Sequence, residues 1–270
     1  MKRIGVLTSG GDTPGMNAAI RAVFKTGVDI DLQVMGIYHG YKGLIEGRVG
    51  YLAHADVESK MHKGGTILRT ARSEEFKTEG GIEKAISVLR AYEIEGLIVI
   101  GGDGSFKGAD ALGKRGIPVI GIPGTIDNDM GYTDFTIGFD TAVNNVMNEI
   151  YKIRDTMRAH DRVGVIEVMG RRCGDIALWA GVAGAADIIL VPERPLSWAD
   201  AANRLAANKL RGQLTSIVMI AEGAGKAEDF CEYVRKYTDV EIKATVLGYI
   251  QRGGNPSAFD RVLAAKMGQR

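Results

Sequence analysis

The chain has 270 residues, 45% hydrophobic and 25% charged, with 34 basic residues against 33 acidic and a net charge of +1. That length suits one large α/β domain or two medium ones, and so balanced a charge disfavours a protein that wraps nucleic acid. Cys173 and Cys231 stand too far apart for a disulfide framework or a thiolate zinc site, the apolar run at 4–7 is too short for a signal peptide, and no stretch approaches the roughly 18 apolar residues of a membrane span. A cytoplasmic globular protein is therefore expected, with neither nucleic acid nor membrane as partner. Glycine is the outlier: 37 of 270 residues, twice the usual share of roughly 7%. The glycines gather at the ends of apolar runs.

Those runs are short and β-rich, at 4–7, 34–38, 97–100, 119–122, 163–168, 188–191, 217–221 and 244–250. Between most of them lie segments of helical spacing. One spans 137–157 and puts Phe139, Val143, Val146, Ile150, Ile153 and Met157 on one face; others fall at 199–209 and 229–237. Strands alternating with helices imply βαβ units, and near-continuous apolar strands imply a sheet covered on both faces. The fold class expected is α/β, two Rossmann-like doubly wound halves with mainly parallel sheets. The long helix is the natural bridge between halves, so the boundary is placed near residue 138.

In doubly wound folds ligands bind beyond the carboxyl ends of the strands, and six such ends here carry Gly, Asp, Arg or Glu. Gly10, Gly11 and Pro14 follow the first run in a strand–loop–helix arrangement suited to an anion. The run 101–108 repeats it without a Walker A Gly-Lys-Ser/Thr and without the spacing of a dinucleotide fingerprint. Asp103 among phosphate-binding amides implies an intervening Mg²⁺, although that loop alone makes it a helix N-cap. Asp127 and Asp129, at i and i+2, face one side if the chain is extended. One then accepts a proton from a hydroxyl while the other serves metal or orientation; the plain alternative is a pair of turn carboxylates. Arg72, Arg162, Arg171 and Arg252 stand near Gly-rich loops and could neutralise phosphate. Mg²⁺, cations and a base are the parts that phosphoryl transfer needs.

Taken together these motifs resemble the ATP-dependent 6-phosphofructokinase family in its bacterial short-chain form. The motifs are GGD-x-PGMNA from Gly10, GGTIL-x-TAR ending at Arg72, GGDGS from Gly101, PGTIDND from Pro123, MGR from Met169, AEG from Ala221 and QRGG from Gln251. The resemblance implies transfer of the ATP γ-phosphoryl to the 1-hydroxyl of fructose 6-phosphate, giving fructose 1,6-bisphosphate and ADP. It makes 1–138 with 251–270 a nucleotide-binding half and 139–250 a sugar-phosphate-binding half. Gly11, Arg72, Asp103, Gly104, Ser105 and Gly108 then hold Mg-ATP, with Asp103 toward the metal. Thr125, Asp127, Arg162, Met169, Gly170, Arg171, Glu222 and Arg252 surround the sugar phosphate, with Asp127 as base and Arg72, Thr125, Arg171 and Asp129 beside it.

The family is a homotetramer whose sites borrow residues such as Arg162 from a neighbour. Positions 243 and 249, typically Arg and His on the 6-phosphate, are Lys243 and Tyr249 here. An ADP or phosphoenolpyruvate effector would meet Arg21, Lys25, Arg154, Asp187 and Arg211, but Gln213, Leu214 and Thr215 replace a basic cluster. Gly104 and Gly124 leave room for a nucleotide donor, where pyrophosphate-using relatives carry Asp and Lys. Family chains run well past this length; a shortened chain lacking the closing elements, and so less fully tetrameric, is expected, the alternative being that Gly268 simply caps a last helix. The alternatives are a kinase of the NAD or lipid kinase type, which leaves the loops at Met169, Glu222 and Arg252 unused, and a non-catalytic sugar-phosphate or nucleotide sensor, which needs no base.

Overall fold

The computed structural model describes residues 2–270, which form two compact units. One is built from the chain up to Thr125, from Met130–Asp140 and from Arg252–Arg270; the other from Ile126–Asp129 and Thr141–Gln251. The division by contacts thus crosses the chain four times, and it sets 126–129 apart from the half in which the sequence boundary at 138 places them.

The first unit runs β1 (Arg3–Thr8), α1 (Met16–Asp29), β2 (Gln33–Ile37), α2 (Gly40–Ile45), β3 (Val49–Tyr51), α3 (His54–Val57), α4 (Glu79–Ala91), β4 (Ile94–Gly101), α5 (Asp103–Gly113) and β5 (Val119–Pro123). Its sheet has the order β3-β2-β1-β4-β5, parallel except for β3. Alternation along the strands fills two separate cores. Val6, Val34 and Ile100 pack with Met16, Ile20 and Phe24 of α1. Their neighbours Leu7, Met35 and Val99 pack with Ile86 and Leu89 of α4 and Leu112 of α5. Both faces are covered, which is why the strands read as unbroken apolar runs.

α6 (Phe139–Ala159) leads into β6 (Val163–Val168), α7 (Asp175–Ala183), β7 (Ile188–Leu190), α8 (Trp198–Leu210), β8 (Ser216–Ala221), α9 (Ala227–Tyr237) and β9 (Ile242–Val246). This second sheet is parallel throughout, in the order β7-β8-β6-β9. Val165, Val218 and Ile220 meet Leu205 of α8 with Phe230 and Val234 of α9. On the opposite face α6 lies so close to β6 that a Cβ on Gly164 would stand 2.9 Å from Met157 Cγ. The periodic face expected for α6 is the buried one, from Phe139 through Val146 and Ile150 to Met157.

Three features differ from the sequence expectations. The run 244–250 is not one strand: β9 stops at Val246, and Gly248, at φ 54°, opens a 3₁₀ turn over Gly248–Arg252. The three-residue β3 is too short to carry an alternation signal. Gly268 caps nothing, because it lies inside α10 (Ala258–Gln269). α10 packs on α1 through Leu263 and Met267 while Val262 stays exposed. A Cβ on Gly268 would sit 2.7 Å from Ala22 Cβ and 3.0 Å from the Ala19 carbonyl oxygen. Glycine is needed for that approach, and backbone cannot yield as a side chain can. Gly268→Val should therefore destabilise the chain by about 1–3 kcal/mol, the usual cost of overpacking, and calorimetry should show a melting temperature several degrees lower.

Candidate active site

In an open parallel sheet the strand order reverses at one place, and the loops leaving the two strands there diverge to leave a crevice. In the first unit that place is β1–β4. The β1 loop passes through Gly10 (φ 85°) to Gly15 (φ 107°), which caps α1 without a side-chain hydrogen bond. Alongside it, Gly102 caps α5, again with no side chain on the exposed amides. Gly101 brings the two loops together: a Cβ there would meet both Ser9 O and Ser105 Oγ at 2.5 Å. Ser105 is 3% exposed, and its Oγ makes no hydrogen bond among the described residues.

The Asp103 expectation changes in detail. It is the first residue of α5 rather than its N-cap, it is exposed, and its carboxylate pairs with Lys107 Nζ at 2.7 Å. Gly104 beside it is open, with nothing within 4 Å of a Cβ, whereas a Cβ on Gly124 would touch Ile100 and Met16. Of the two glycines expected to leave room for a donor, only Gly104 faces free space; Gly124 serves packing. Gly108 is likewise a packing position, with the Tyr41 ring 2.7 Å from where its Cβ would be. Tyr41 is buried, its hydroxyl donates to Ser105 O at 2.6 Å, and burial pushes its pKa far upward.

A strap over 63–72 crosses the same end of the sheet. Buried Asn17 donates to Lys63 O (3.0 Å) and Gly64 O (3.2 Å) and accepts from Ile67 N (2.8 Å). Thr8 Oγ1 donates to Arg69 O at 2.8 Å, and Thr70 Oγ1 donates to Gly10 O at 2.7 Å. The strap delivers Arg72 to this edge with its side chain exposed. Arg252 arrives from the other direction: its guanidinium lies against Gly11, pairs with Asp12 and donates from Nε to Asp12 O at 3.3 Å. The side chain of Thr125, at the end of β5, lies over Gly102, and its carbonyl accepts from Thr136 Oγ1 at 2.6 Å. Asn17, Thr8, Thr70 and Asp12 were all missed as site residues. Their signal was that they fall inside or beside the Gly-rich motifs.

In the second unit the crevice lies at β6–β8. After β6 the chain turns through Met169, Gly170 (φ 134°) and Arg171 (φ 54°). Glu222, after β8, accepts from Gly170 N at 3.1 Å and from Arg171 N at 2.7 Å with one oxygen, while Met169 N donates to Gln251 Oε1 at 3.0 Å. Arg171 Nε stands 3.2 Å from Asp127 Oδ2. Asp127 is only 7% exposed, whereas Asp129 lies open to solvent. The residue between them, Asn128, is left-handed (φ 54°) and donates to Asp175 Oδ2 at 2.8 Å. The segment is therefore not extended, and the expected alignment of the two carboxylates on one side does not hold.

Two of the expected sugar-side residues, Arg162 and Lys243, lie at the other end of the sheet. Arg162 precedes β6, at the opposite end of that strand from Met169, with Nε 2.6 Å from Glu241 Oε1. Lys243 pairs in register with Gly164 at that same far end, exposed on the edge strand β9. Tyr249 projects from the 3₁₀ turn and is 78% exposed. The expected effector residues divide between the units. Lys25 and Arg21 pair with Glu58 at 3.2 and 3.5 Å, and the Lys25 hydrogen bond foremost holds the Glu58 carboxyl below its usual range. In the second unit Arg154 donates to Gly184 O (2.5 Å) and Ala185 O (2.8 Å), closing the end of α7. Asp187 accepts from Gln213 Nε2 (2.6 Å) and Ile217 N (2.7 Å), and Arg211 is exposed at the end of α8.

Cys173 ends the 169–173 turn. Burial first, and then the carboxylates of Asp175, Glu193 and Asp129, push its thiol up to about 11. A raised pKa leaves less thiolate at any given pH. At pH 8 only about one molecule in a thousand is reactive, against roughly a quarter for an ordinary cysteine of pKa near 8.5. Iodoacetamide at pH 8 should thus leave Cys173 largely unmodified for as long as a free cysteine peptide takes to react fully, with the two followed by mass spectrometry.

Comparison with known proteins agrees with this architecture. The phosphofructokinase family model matches residues 3–270. An ATP-dependent 6-phosphofructokinase of Clostridium tetani is 55% identical over 270 residues, 100% of this chain and 85% of that protein. Its counterpart in Clostridium novyi is 54% identical over 268 residues, 99% of this chain and 84% of the other. Among solved structures, the phosphofructokinase of Saccharomyces cerevisiae superposes with a TM-score of 0.92 at 37% identity, covering 100% of this chain and 41% of that one. A shared fold, matched motif loops and a full-length family match lead to one conclusion: the chain belongs to the phosphofructokinase family.

Proposed function

We propose that the protein is a cytoplasmic ATP-dependent 6-phosphofructokinase. The observation that carries the reaction is Asp127, a carboxylate 7% exposed with the Arg171 guanidinium at 3.2 Å. A shielded carboxylate steered by a cation is suited to take the proton of the sugar 1-hydroxyl. The freed oxygen bonds to the γ-phosphorus, the bond from that phosphorus to the β–γ bridging oxygen breaks, and ADP leaves with the electron pair. The first unit supplies the nucleotide side. The amides at the start of α1 and α5 face phosphate, Ser105 Oγ offers an unused hydrogen bond, and Arg72 lies at the same edge for the migrating group. Met169, Gly170, Arg171 and Glu222 shape the sugar side in the second unit.

The donor set fits a metal that comes with the nucleotide. Among the described residues no three His, Cys, Asp or Glu side chains gather as a cage. Asp103 offers one exposed carboxylate, which is the share a protein gives to Mg²⁺ when phosphate oxygens and water complete its shell. When bound, Mg²⁺ neutralises phosphate charge as it develops. Asp103 must exchange its Lys107 partner to take part.

The open space at Gly104 favours ATP over pyrophosphate. For assembly we propose a homotetramer in which Arg162 and Lys243 act on a neighbour's sugar phosphate. Effector control by ADP or phosphoenolpyruvate is proposed to be weak. An anion must displace Glu58 from Arg21 and Lys25, and Gln213 already occupies Asp187.

Purified protein with ATP, Mg²⁺ and fructose 6-phosphate should form fructose 1,6-bisphosphate in an aldolase-coupled assay, and pyrophosphate should replace ATP poorly. Equal turnover with pyrophosphate would reverse the donor assignment. Asp127→Asn should lower kcat by about 10²–10⁴-fold, the range for loss of a general base, and leave Mg-ATP binding by calorimetry nearly unchanged. A variant with near-normal kcat would remove Asp127 from the chemistry.

A further inference from the structure

Three consecutive backbone N–H groups, those of Met169, Gly170 and Arg171, point at side chains rather than at other backbone. Glu222 accounts for two of them. The third is held by Gln251, whose side chain is completely buried, at 0% exposed. Its Oε1 accepts from Met169 N at 3.0 Å, and its Nε2 donates to Gly248 O at 3.0 Å. One amide thus joins the loop carrying Arg171 to the 3₁₀ turn carrying Tyr249.

A fully buried amide is costly unless both ends are bonded, and both ends are bonded here. Gly170 and Arg171 have positive φ, so the loop has no regular partner strand to define it. Without the Gln251 side chain the Met169 amide loses its partner, and the bonds left to the turn from Asn145 Nδ2 (to Ile250 O at 3.4 Å and Gln251 O at 3.5 Å) come from α6 rather than from the loop. Leu247 N, which donates to Glu167 O at 3.2 Å, ends the β6–β9 pairing one residue before that turn. Gln251 therefore ties loop to turn beyond the reach of the sheet.

We infer that Gln251 is a positioning residue for the sugar phosphate: it fixes the Met169–Arg171 loop against the Gly248–Arg252 turn and so sets where Arg171 and Tyr249 stand. The inference rests on the function proposed above. Gln251 itself touches no reacting atom, and it has no bond to the nucleotide loops of β1 and β4 among the hydrogen bonds described.

The test combines kinetics with hydrogen exchange on the full chain. Gln251→Met keeps length and bulk but removes both hydrogen bonds, and Gln251→Glu keeps the acceptor for Met169 N. Gln251→Met should raise KM for fructose 6-phosphate about tenfold, the worth of one buried hydrogen bond, and leave KM for ATP within about twofold of wild type. Gln251→Glu should recover part of that loss. By mass spectrometry, exchange at the 169–171 amides should quicken in Gln251→Met while that of β1 and β4 stays unchanged. Unaltered exchange at 169–171, or faster exchange with an unaltered sugar KM, would overturn the role. So would equal rises in both KM values. If the wild-type chain fails to phosphorylate fructose 6-phosphate, the proposed function falls, and the exchange measurement still decides whether Gln251 holds the loop.

Discussion

Ser9 N donates to Ile100 O at 3.0 Å, the last hydrogen bond of the β1–β4 pairing. The first unit's chemistry depends on that pairing. Two parallel strands end side by side, and their onward chains must part because α1 returns toward β2 and α5 toward β5. The parting leaves backbone amides of both loops directed outward from the sheet. Gly101 makes the approach possible, since any side chain there would strike Ser9 and Ser105. Anion-binding potential is thus a consequence of topology, and the glycines mark where backbone must approach backbone.

Loops at such an edge lack ladder partners, and here polar side chains supply them. Asn17 holds the strap at three points, Glu222 holds two amides with one oxygen, and buried Asp260 accepts from Gly138 N at 2.8 Å. Each group is worth about 0.5–1.5 kcal/mol net when bonded and costs more when stranded. Every one of these tethers therefore penalises alternative loop conformations more than it stabilises the fold. That asymmetry suits a site in which charged groups must stand in fixed places before substrate arrives.

The fold class was legible because both faces of each sheet are covered, so the strands stand out as apolar runs and α6 as a 3.6-residue period. β3 carried no signal at three residues, and Gly248 broke a run whose composition still looked like strand. The motif loops were legible as chemistry, but their internal wiring was not. Gly108 and Gly124 are packing positions under Tyr41 and against Ile100, and no spacing rule separates a glycine that clears a ligand from one that clears a ring. The conformation at Asn128 was similarly hidden. Asp-Asn-Asp suggests a turn, yet it is the folded chain that makes Asp127 the shielded carboxylate and leaves Asp129 exposed. Gln251 and Asn17 stand inside quoted motifs, but their roles were hidden for a different reason. Asn17 bonds backbone 46–50 residues away and Gln251 reaches Met169 N 82 residues away, and such bonds leave no pattern in residue types.

Arg162 and Arg171 bracket β6, one before its first residue and one just beyond its last. Six residues at roughly 3.3 Å each put them about 20 Å apart, far more than the length of a sugar phosphate. A strand is too stiff to fold back, so the two arginines stand at opposite ends of one copy of β6. Lys243 shares the far end through its register with Gly164. On the proposed assignment, in which both ends of β6 serve one substrate, the second end must come from another copy of the chain. On the edge strand β9, Lys243 is exposed at that end. On that proposed assignment, and with β6 held extended by its pairing with β8 and β9, completing the sugar site would call for a second copy of the chain.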